Sequence, residues 1–256
     1  MIVLGFDTAT AATSVALRLG DAATTEMRDD PAPGAHPGHA TRLLGMSGEL
    51  LASAGVRWSE VDRIAVGVGP GTFTGLRVGI ATARGLAQSL TAELVGVSSL
   101  QALAAAALAS ERRQEGATPI EAVLAAIDAR RGEVFAAAFR AGENGVPVAL
   151  TDARALAPEE LGSVIEQAEE EHGERASAWV ALGDGAIRFR AQLEAAGIAS
   201  PHDHSPLHLV SAASVSELGA RAVPVANVEA IVPDYRRRPD AELALEATGT
   251  ATEPER

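Results

Sequence analysis

Short apolar runs broken by polar turns dominate the first half of the chain. Residues 2–7 and 14–19 predict two strands joined by the Thr/Ala turn Thr8-Ala9-Thr10-Ala11-Ala12-Thr13. A polar, proline-rich loop over 29–37 follows. Leu43, Leu44, Met46, Leu50, Leu51 and Ala54 then recur at helical spacing, predicting a helix over roughly 38–54 with Gly55 as its stop. Residues 61–68 read as a strand, 76–90 as a helix and 94–97 as a short strand. Ser98-Ser99 reads as the N-cap of an alanine-rich helix reaching about residue 109.

Residues 110–118 are polar and charged, as a linker between lobes would be. Two more strands, 122–128 and 133–140, flank the turn Ala129-Arg130-Arg131-Gly132 and echo the opening of the chain. In both places an apolar strand ends in an aspartate, Asp7 or Asp128, before a polar turn and a second strand. The echo fits a duplicated lobe and equally fits coincidence. Further on, an acidic helix over 158–172, a strand over 179–182, a turn at 183–185 and helices over 186–196 and 212–222 are predicted. Residues 241–256 carry little apolar content after Leu245 and read as a disordered tail. The expected division is a first lobe over 1–110, a second over 111–240 whose late segment packs back on the first, and the tail.

The most distinctive motif is Val66-Gly67-Val68-Gly69-Pro70-Gly71-Thr72-Phe73-Thr74-Gly75-Leu76-Arg77. Glycines at 69, 71 and 75 permit positive φ or close backbone approach in a strand-to-helix turn. Two readings stand: a tight connection, or an anion site made by free N–H groups at the helix start. The spacing is neither that of a Walker A loop nor of a dinucleotide fingerprint.

With 256 residues the chain suffices for one large domain or two lobes. Cysteine is absent, which excludes disulfides, thiolate metal sites and a cysteine nucleophile. The net charge of -13, without a basic patch interleaved with aromatics, argues against strong direct nucleic-acid binding and suits a basic protein partner. The first residues lack the basic region of a signal peptide, and no window approaches the ~20 apolar residues of a membrane span. A cytoplasmic protein is expected.

Several segments together resemble TsaB proteins. They are Asp7-Thr8-Ala9-Thr10, the stretch 67–84, Gly96-Val97-Ser98-Ser99-Leu100, the stretch 125–135 and Pro233-Asp234-Tyr235-Arg236, in that order. The resemblance is close over residues 1–140, thin over 141–225 and returns near Tyr235. It implies an α/β, two-lobed actin/sugar-kinase/Hsp70-like fold with mixed sheets flanked by helices. It also implies a non-catalytic scaffold and activator in the machinery that makes threonylcarbamoyladenosine beside the tRNA anticodon. There a TsaD-like catalytic paralogue performs the transfer and a TsaE-like ATPase regulates turnover. The tRNA is met only through the complex, and a homodimer is expected when the chain is alone. Carried onto this sequence, the partner-binding helices are those around 39–51 and 76–87. The implied contact residues are His39, Leu43, Leu44, Met46, Leu50, Leu51, Arg77, Ile80, Ala81 and Arg84. Small residues Gly79, Ala81, Ala83 and Ala87 would let another helix approach, while Arg77 and Arg84 would reach acidic groups.

The catalytic readings are weaker. TsaD-like proteins carry a His-x-x-x-His metal pair in the helix corresponding to 38–54, but here His39 is followed four residues later by Leu43. His36 is separated from His39 by Pro37-Gly38, and His202, His204 and His208 read as parts of a loop. Asp7, Thr8, Thr10 and Asp128 occupy the places where actin-like ATPases hold phosphate and magnesium, so they form a candidate vestigial nucleotide site. Ala129-Arg130-Arg131 stands where a second glycine-rich phosphate loop would be needed. The scaffold reading requires no cofactor and leaves room for weak or composite-site nucleotide binding. The alternative function is an ATPase or small-molecule kinase of the same fold. A serine hydrolase finds no Gly-x-Ser-x-Gly elbow.

Overall fold

Apolar strands covered on both faces organise the computed structural model, which describes residues 1–20, 22–32, 34–110, 120–142, 145–172 and 179–236. The expected tail, and all of the expected linker except Ser110, lie outside the described residues. Strands β1 (Ile2–Asp7), β2 (Thr13–Leu19), β3 (Thr25–Asp29), β4 (Arg63–Gly69) and β5 (Glu93–Ser98) form one mixed sheet in the order β3-β2-β1-β4-β5. Within it β1 runs antiparallel to β2 and parallel to β4. The second sheet is built from β6 (Ala122–Arg130), β7 (Glu133–Arg140), β8 (Val148–Ala149), β9 (Arg154–Leu156) and β10 (Trp179–Leu182). There β6 runs antiparallel to β7 and parallel to β10, and β8 and β9 both pair with β7.

The two sheets share one plan. A hairpin (β1–β2, then β6–β7) receives a parallel strand on the side of its first member (β4, then β10). Where a fifth strand would follow in the second sheet, Ala199 makes a parallel bridge to Val180. The sequence echo around Asp7 and Asp128 therefore coincides with a repeat in topology, the two-lobed actin/sugar-kinase/Hsp70-like arrangement.

Helices α1 (His39–Ser53), α2 (Phe73–Leu90), α3 (Ser99–Ser110), α4 (Leu161–His172), α5 (Asp184–Arg188), α6 (Arg190–Ala195) and α7 (Ala212–Arg221) cover the sheets. Strand alternation sorts the apolar residues into three cores. Leu4, Phe6, Ile64 and Val66 face outward from the first sheet, under α1 and α2. Val3, Ala65, Val95, Val123, Ala125 and Ile127 face the space between the sheets, which α3 and α7 fill. Leu124, Ala126, Val134 and Ala136 face the far side, where α4, α5 and α6 lie. Helix α3 is apolar almost all round, as a helix packed between two sheets must be.

Helix α7 comes late in the chain yet packs on β1, β2 and β4 of the first sheet. Both its ends are tied there. Glu26 on β3 accepts hydrogen bonds from the Ala212 N–H (2.9 Å) and the Ser211 hydroxyl (2.7 Å). At the other end, the buried Arg63 guanidinium donates to the carbonyls of Gly219 (2.7 Å), Ala220 (3.2 Å) and Ala222 (3.0 Å) and pairs with Glu93. Close packing follows from Gly5, where a Cβ would collide with the Ser216 hydroxyl.

Two local expectations need correction, and one strand was not anticipated. The edge strand β3, Thr-Glu-Met-Arg-Asp, has no apolar alternation to announce it. The helix expected over 186–196 is two short helices broken at Phe189, whose φ of -111° and ψ of 32° leave the helical region. The helix expected from residue 76 begins at Phe73. Among the described residues no helix is long and apolar enough to cross a membrane.

Candidate functional site: an outward helical face above an inward aspartate turn

Asp7 ends β1 fully inside the protein. Its Oδ1 accepts the Ala9 N–H (2.8 Å), and its Oδ2 accepts the Ser99 hydroxyl (2.6 Å). Burial pushes the carboxyl above its usual range, although the two hydrogen bonds pull the other way. Thr8 is equally buried and donates from Oγ1 to the Gly75 carbonyl (2.8 Å). The glycine turn is packed on this strand end: the Thr72 N–H donates to the Ala9 carbonyl (2.7 Å). A Cβ at Gly71 would collide with the Ala9 backbone, and one at Gly75 with the Thr8 carbonyl. Of the two readings of the motif, the tight connection is the one this geometry supports.

Asp128 is the counterpart in the second lobe. Its Oδ1 accepts the Arg130 N–H (2.9 Å), the same two-residue turn as at Asp7. Its Oδ2 is flanked by the guanidinium groups of Arg130 (3.3 Å) and Arg188 (3.2 Å). Arg130 and Arg131 both have positive φ, 66° and 53°, conformations costly for residues with a Cβ. Asp184, held above the usual carboxylate range by burial, accepts the Asp128 N–H (2.9 Å). The inward carboxylate of Asp7 and the arginine-capped carboxylate of Asp128 do not fit a phosphate-and-magnesium site. Thr10, half-buried in the first turn, is not drawn into either aspartate's hydrogen bonds. Among the described residues, no group of three His, Asp or Glu side chains is placed to hold a metal ion. His208 is buried, its ring nitrogens at the Gly183 carbonyl (3.1 Å) and the Pro201 carbonyl (3.3 Å).

On α1 and α2 the expected contact residues divide into two sets. Leu43, Met46, Leu50 and Leu51 are 1–2% exposed and lie in the core beneath the helix. Ile80 is buried in the same core. These five support the helices and offer no surface, which corrects their assignment as contacts. The reason is that α1 has two sheet strands and α2 beneath it, so its apolar stripe is consumed within the lobe. His39 is also inward, its Nδ1 hydrogen-bonded with the Thr13 hydroxyl (2.9 Å) and its buried Nε2 without a hydrogen-bond partner among the described residues. Burial holds this imidazole below the usual histidine range, against opposing pulls from the Thr10 backbone and Asp29. Leu44, by contrast, is 52% exposed. Arg77 and Ala81 are exposed as well. Arg84 is half-buried and committed to the chain itself, donating to the Ile231 carbonyl (2.6 Å) and pairing with Glu229 (2.8 Å).

On the outward side Leu44 is an exposed apolar side chain, Gly45 and Ala52 on α1 and Ala81 and Gly85 on α2 are exposed small residues, and Thr41, Arg42 and Glu49 on α1 are exposed polar ones. Gly45 and Gly85 face open space. Two further side chains join this face that periodicity did not single out. Phe73 opens α2, and Tyr235 reaches it from the last described segment. Their rings lie 5.2 Å apart with planes 26° from parallel, and the Arg77 guanidinium sits 3.6 Å above the Phe73 ring. The sequence signal for Tyr235 was the segment Pro233-Asp234-Tyr235-Arg236, whose place in the fold only the tertiary structure gives.

Comparison with known proteins identifies the family. Residues 33–245 match the family model described as TsaD: tRNA N6-adenosine threonylcarbamoyltransferase. The tRNA threonylcarbamoyladenosine biosynthesis protein TsaB of Escherichia coli is 38% identical over 185 residues, 72% of each chain. An uncharacterised protein of Mycobacterium tuberculosis is 30% identical over 93% of each chain. Among solved structures, YeaZ from Pseudomonas aeruginosa superposes with a TM-score of 0.72 at 30% identity, covering 91% of this chain and 99% of its own. The family model bears the transferase's description, whereas the relative 38% identical over 72% of each chain bears the TsaB name. This chain belongs to the TsaB family of tRNA threonylcarbamoyladenosine biosynthesis proteins.

Proposed function

We propose that this chain is a non-catalytic scaffold and activator that binds a TsaD-like catalytic subunit through the outward face of α1 and α2. The observation that carries the reading is the division of side chains at the first lobe. The carboxylate best placed for nucleotide chemistry, Asp7, is turned inward and hydrogen-bonded to Ala9 and Ser99. Beside it, two packed helices leave Leu44, Gly45, Ala81 and Gly85 facing outward. Small residues on paired helices let a further helix approach closely, and an exposed leucine supplies apolar area to bury. Activation follows if the partner's active arrangement binds this face more tightly than its inactive one.

In this reading the chain works in the cytoplasm, meets tRNA and a TsaE-like ATPase only through the complex, and pairs with itself when the partner is missing. It needs no cofactor of its own, any nucleotide being held weakly or at a site shared with the partner. The test is a reconstituted modification assay from which this chain is omitted. Incorporation of threonylcarbamoyl into tRNA should drop to background without it and return on its addition. Full activity in its absence would end the scaffold reading. Magnesium-dependent ATP turnover by the purified chain, lost in Asp7→Ala, would instead favour the ATPase or kinase alternative.

A further inference from the structure

Phe73 and Tyr235 are 39% and 40% exposed, and Tyr235 is the sole tyrosine of the chain. The segment 223–236 that delivers Tyr235 is fastened along the first lobe. The Val225 N–H donates to the Leu94 carbonyl (3.0 Å) and the Asp234 N–H to the Val68 carbonyl (2.8 Å). Between them Ile231 enters the core against Gly96, and Arg84 grips the Ile231 carbonyl and Glu229. The tyrosine is thus delivered to α2 by a segment held at both ends.

Arg77 is held just as firmly. Its guanidinium lies on the Phe73 ring, and its Nε donates to the Tyr235 hydroxyl (2.8 Å). Its two Nη atoms make no hydrogen bond to any described residue. An arginine whose stem is fixed and whose outer edge is free has lost much of its rotamer entropy, and its fork matches a carboxylate or phosphate. Phe73, Arg77, Ala81 and Gly85 are all exposed and follow at intervals of four, so this platform continues the outward stripe of α2.

We propose that Phe73, Arg77 and Tyr235 form an anchor for the catalytic partner, accepting a carboxylate carried beside an apolar side chain on the partner's docking helix. The inference rests on the scaffold reading above. Charge favours a protein carboxylate over an RNA phosphate. The chain carries a net charge of -13, and the neighbouring cations Arg84 and Arg236 are already paired with Glu229 and Asp234. One arginine edge set in an aromatic surround suits a single carboxylate better than a polyanionic backbone, which needs several free cations.

Titration calorimetry of the full chain with the TsaD-like protein of the same source tests this. Arg77→Ala and Tyr235→Ala should each weaken binding about tenfold or more, as central aromatic and arginine anchors do. Arg77→Lys should be nearly as weak, because an ammonium lacks the fork. Tyr235→Phe, which keeps the ring and removes only the hydroxyl tether, covers the case in which Tyr235→Ala melts early. Binding of all four variants within twofold of the parent, with Leu44→Asp still disruptive, would overturn the anchor and leave the scaffold reading standing. Failure of the parent chain itself to bind would remove both. Intact protein binding with reduced tRNA retention on filters in Arg77→Ala would reassign the platform to phosphate and also overturn the proposal.

Discussion

The same turn is built twice in this molecule, in two different surroundings. At the end of β1 and again at the end of β6, an aspartate accepts the N–H two residues on. In the first lobe the second carboxylate oxygen is satisfied by Ser99 and the group is buried against Gly67 on β4 and the start of α3. In the second lobe the corresponding oxygen faces two half-exposed arginines. The repeat therefore preserved the backbone and reassigned the side chains. Glycines at 71, 75 and 79 bring α2 down onto the first turn, and the outer face of that helix becomes the candidate docking surface. At the second turn Arg130 and Arg131 hold positive φ instead. A shared fold thus constrains function less than the surroundings of the shared aspartate do.

The contrast is most sharply broken on α1. Leu43→Asp should cost about 4 kcal/mol or more by placing a carboxylate in the core, enough to unfold much of the protein. Leu44→Asp, one residue along and exposed, should change stability by less than about 0.5 kcal/mol while abolishing partner binding. Chemical denaturation beside light scattering of the mixture separates the two. Equal stability losses would contradict the inward and outward assignment.

The glycines give the next largest effect. Gly75→Ala drives a Cβ into the Thr8 carbonyl and should cost roughly 3 kcal/mol. Gly85→Ala, exposed within the same helix and facing open space, should stabilise by about 0.5–1 kcal/mol. A thermal melt of each variant decides, and a destabilised Gly85→Ala would show that its surface is not free.

The aspartates themselves can be told apart by salt. Asp128→Asn should lose about 1 kcal/mol at low ionic strength, an effect shrinking in molar salt because its arginine partners are exposed. Asp7→Asn should show no such salt dependence, since both its partners are neutral and buried. Denaturation midpoints at two salt concentrations test this directly.

The smallest effect is a pH dependence at His39. Its folded pKa lies below the unfolded value of 6.5, so between the two the unfolded chain binds more protons. The stability contribution is present above pH 6.5 and declines as pH falls through the folded value. His39→Gln should flatten that decline, and a slope unchanged from the parent would mean that another group is responsible.

Much of the first lobe was legible because most of its strands and helices are long and apolar. The helix over 39–53 and the strands at 2–7 and 133–140 came close to their predicted limits. The edge strand β3 was not legible, since a half-exposed strand at a sheet edge carries no apolar alternation. The direction of α1 was the larger error. Leu43, Leu44, Met46, Leu50 and Leu51 look alike in sequence, and periodicity does not say how wide a stripe the neighbouring strands will cover. Arg84 was expected to reach out and instead fastens the last segment, because its partners lie 145 and 147 residues further along.

By itself, the sequence determined the apolar strands, the repeated strand–aspartate–turn, the glycines that bring a helix against a strand end, and the family. Those are local properties, set by side-chain period, backbone freedom and motif order. Only the tertiary structure decided that Asp7 faces inward, that α7 belongs to the first sheet, and that Tyr235 stands beside Phe73 and Arg77. Each depends on which distant segment occupies the space above a side chain, and that is settled when the sheets and their helices pack together.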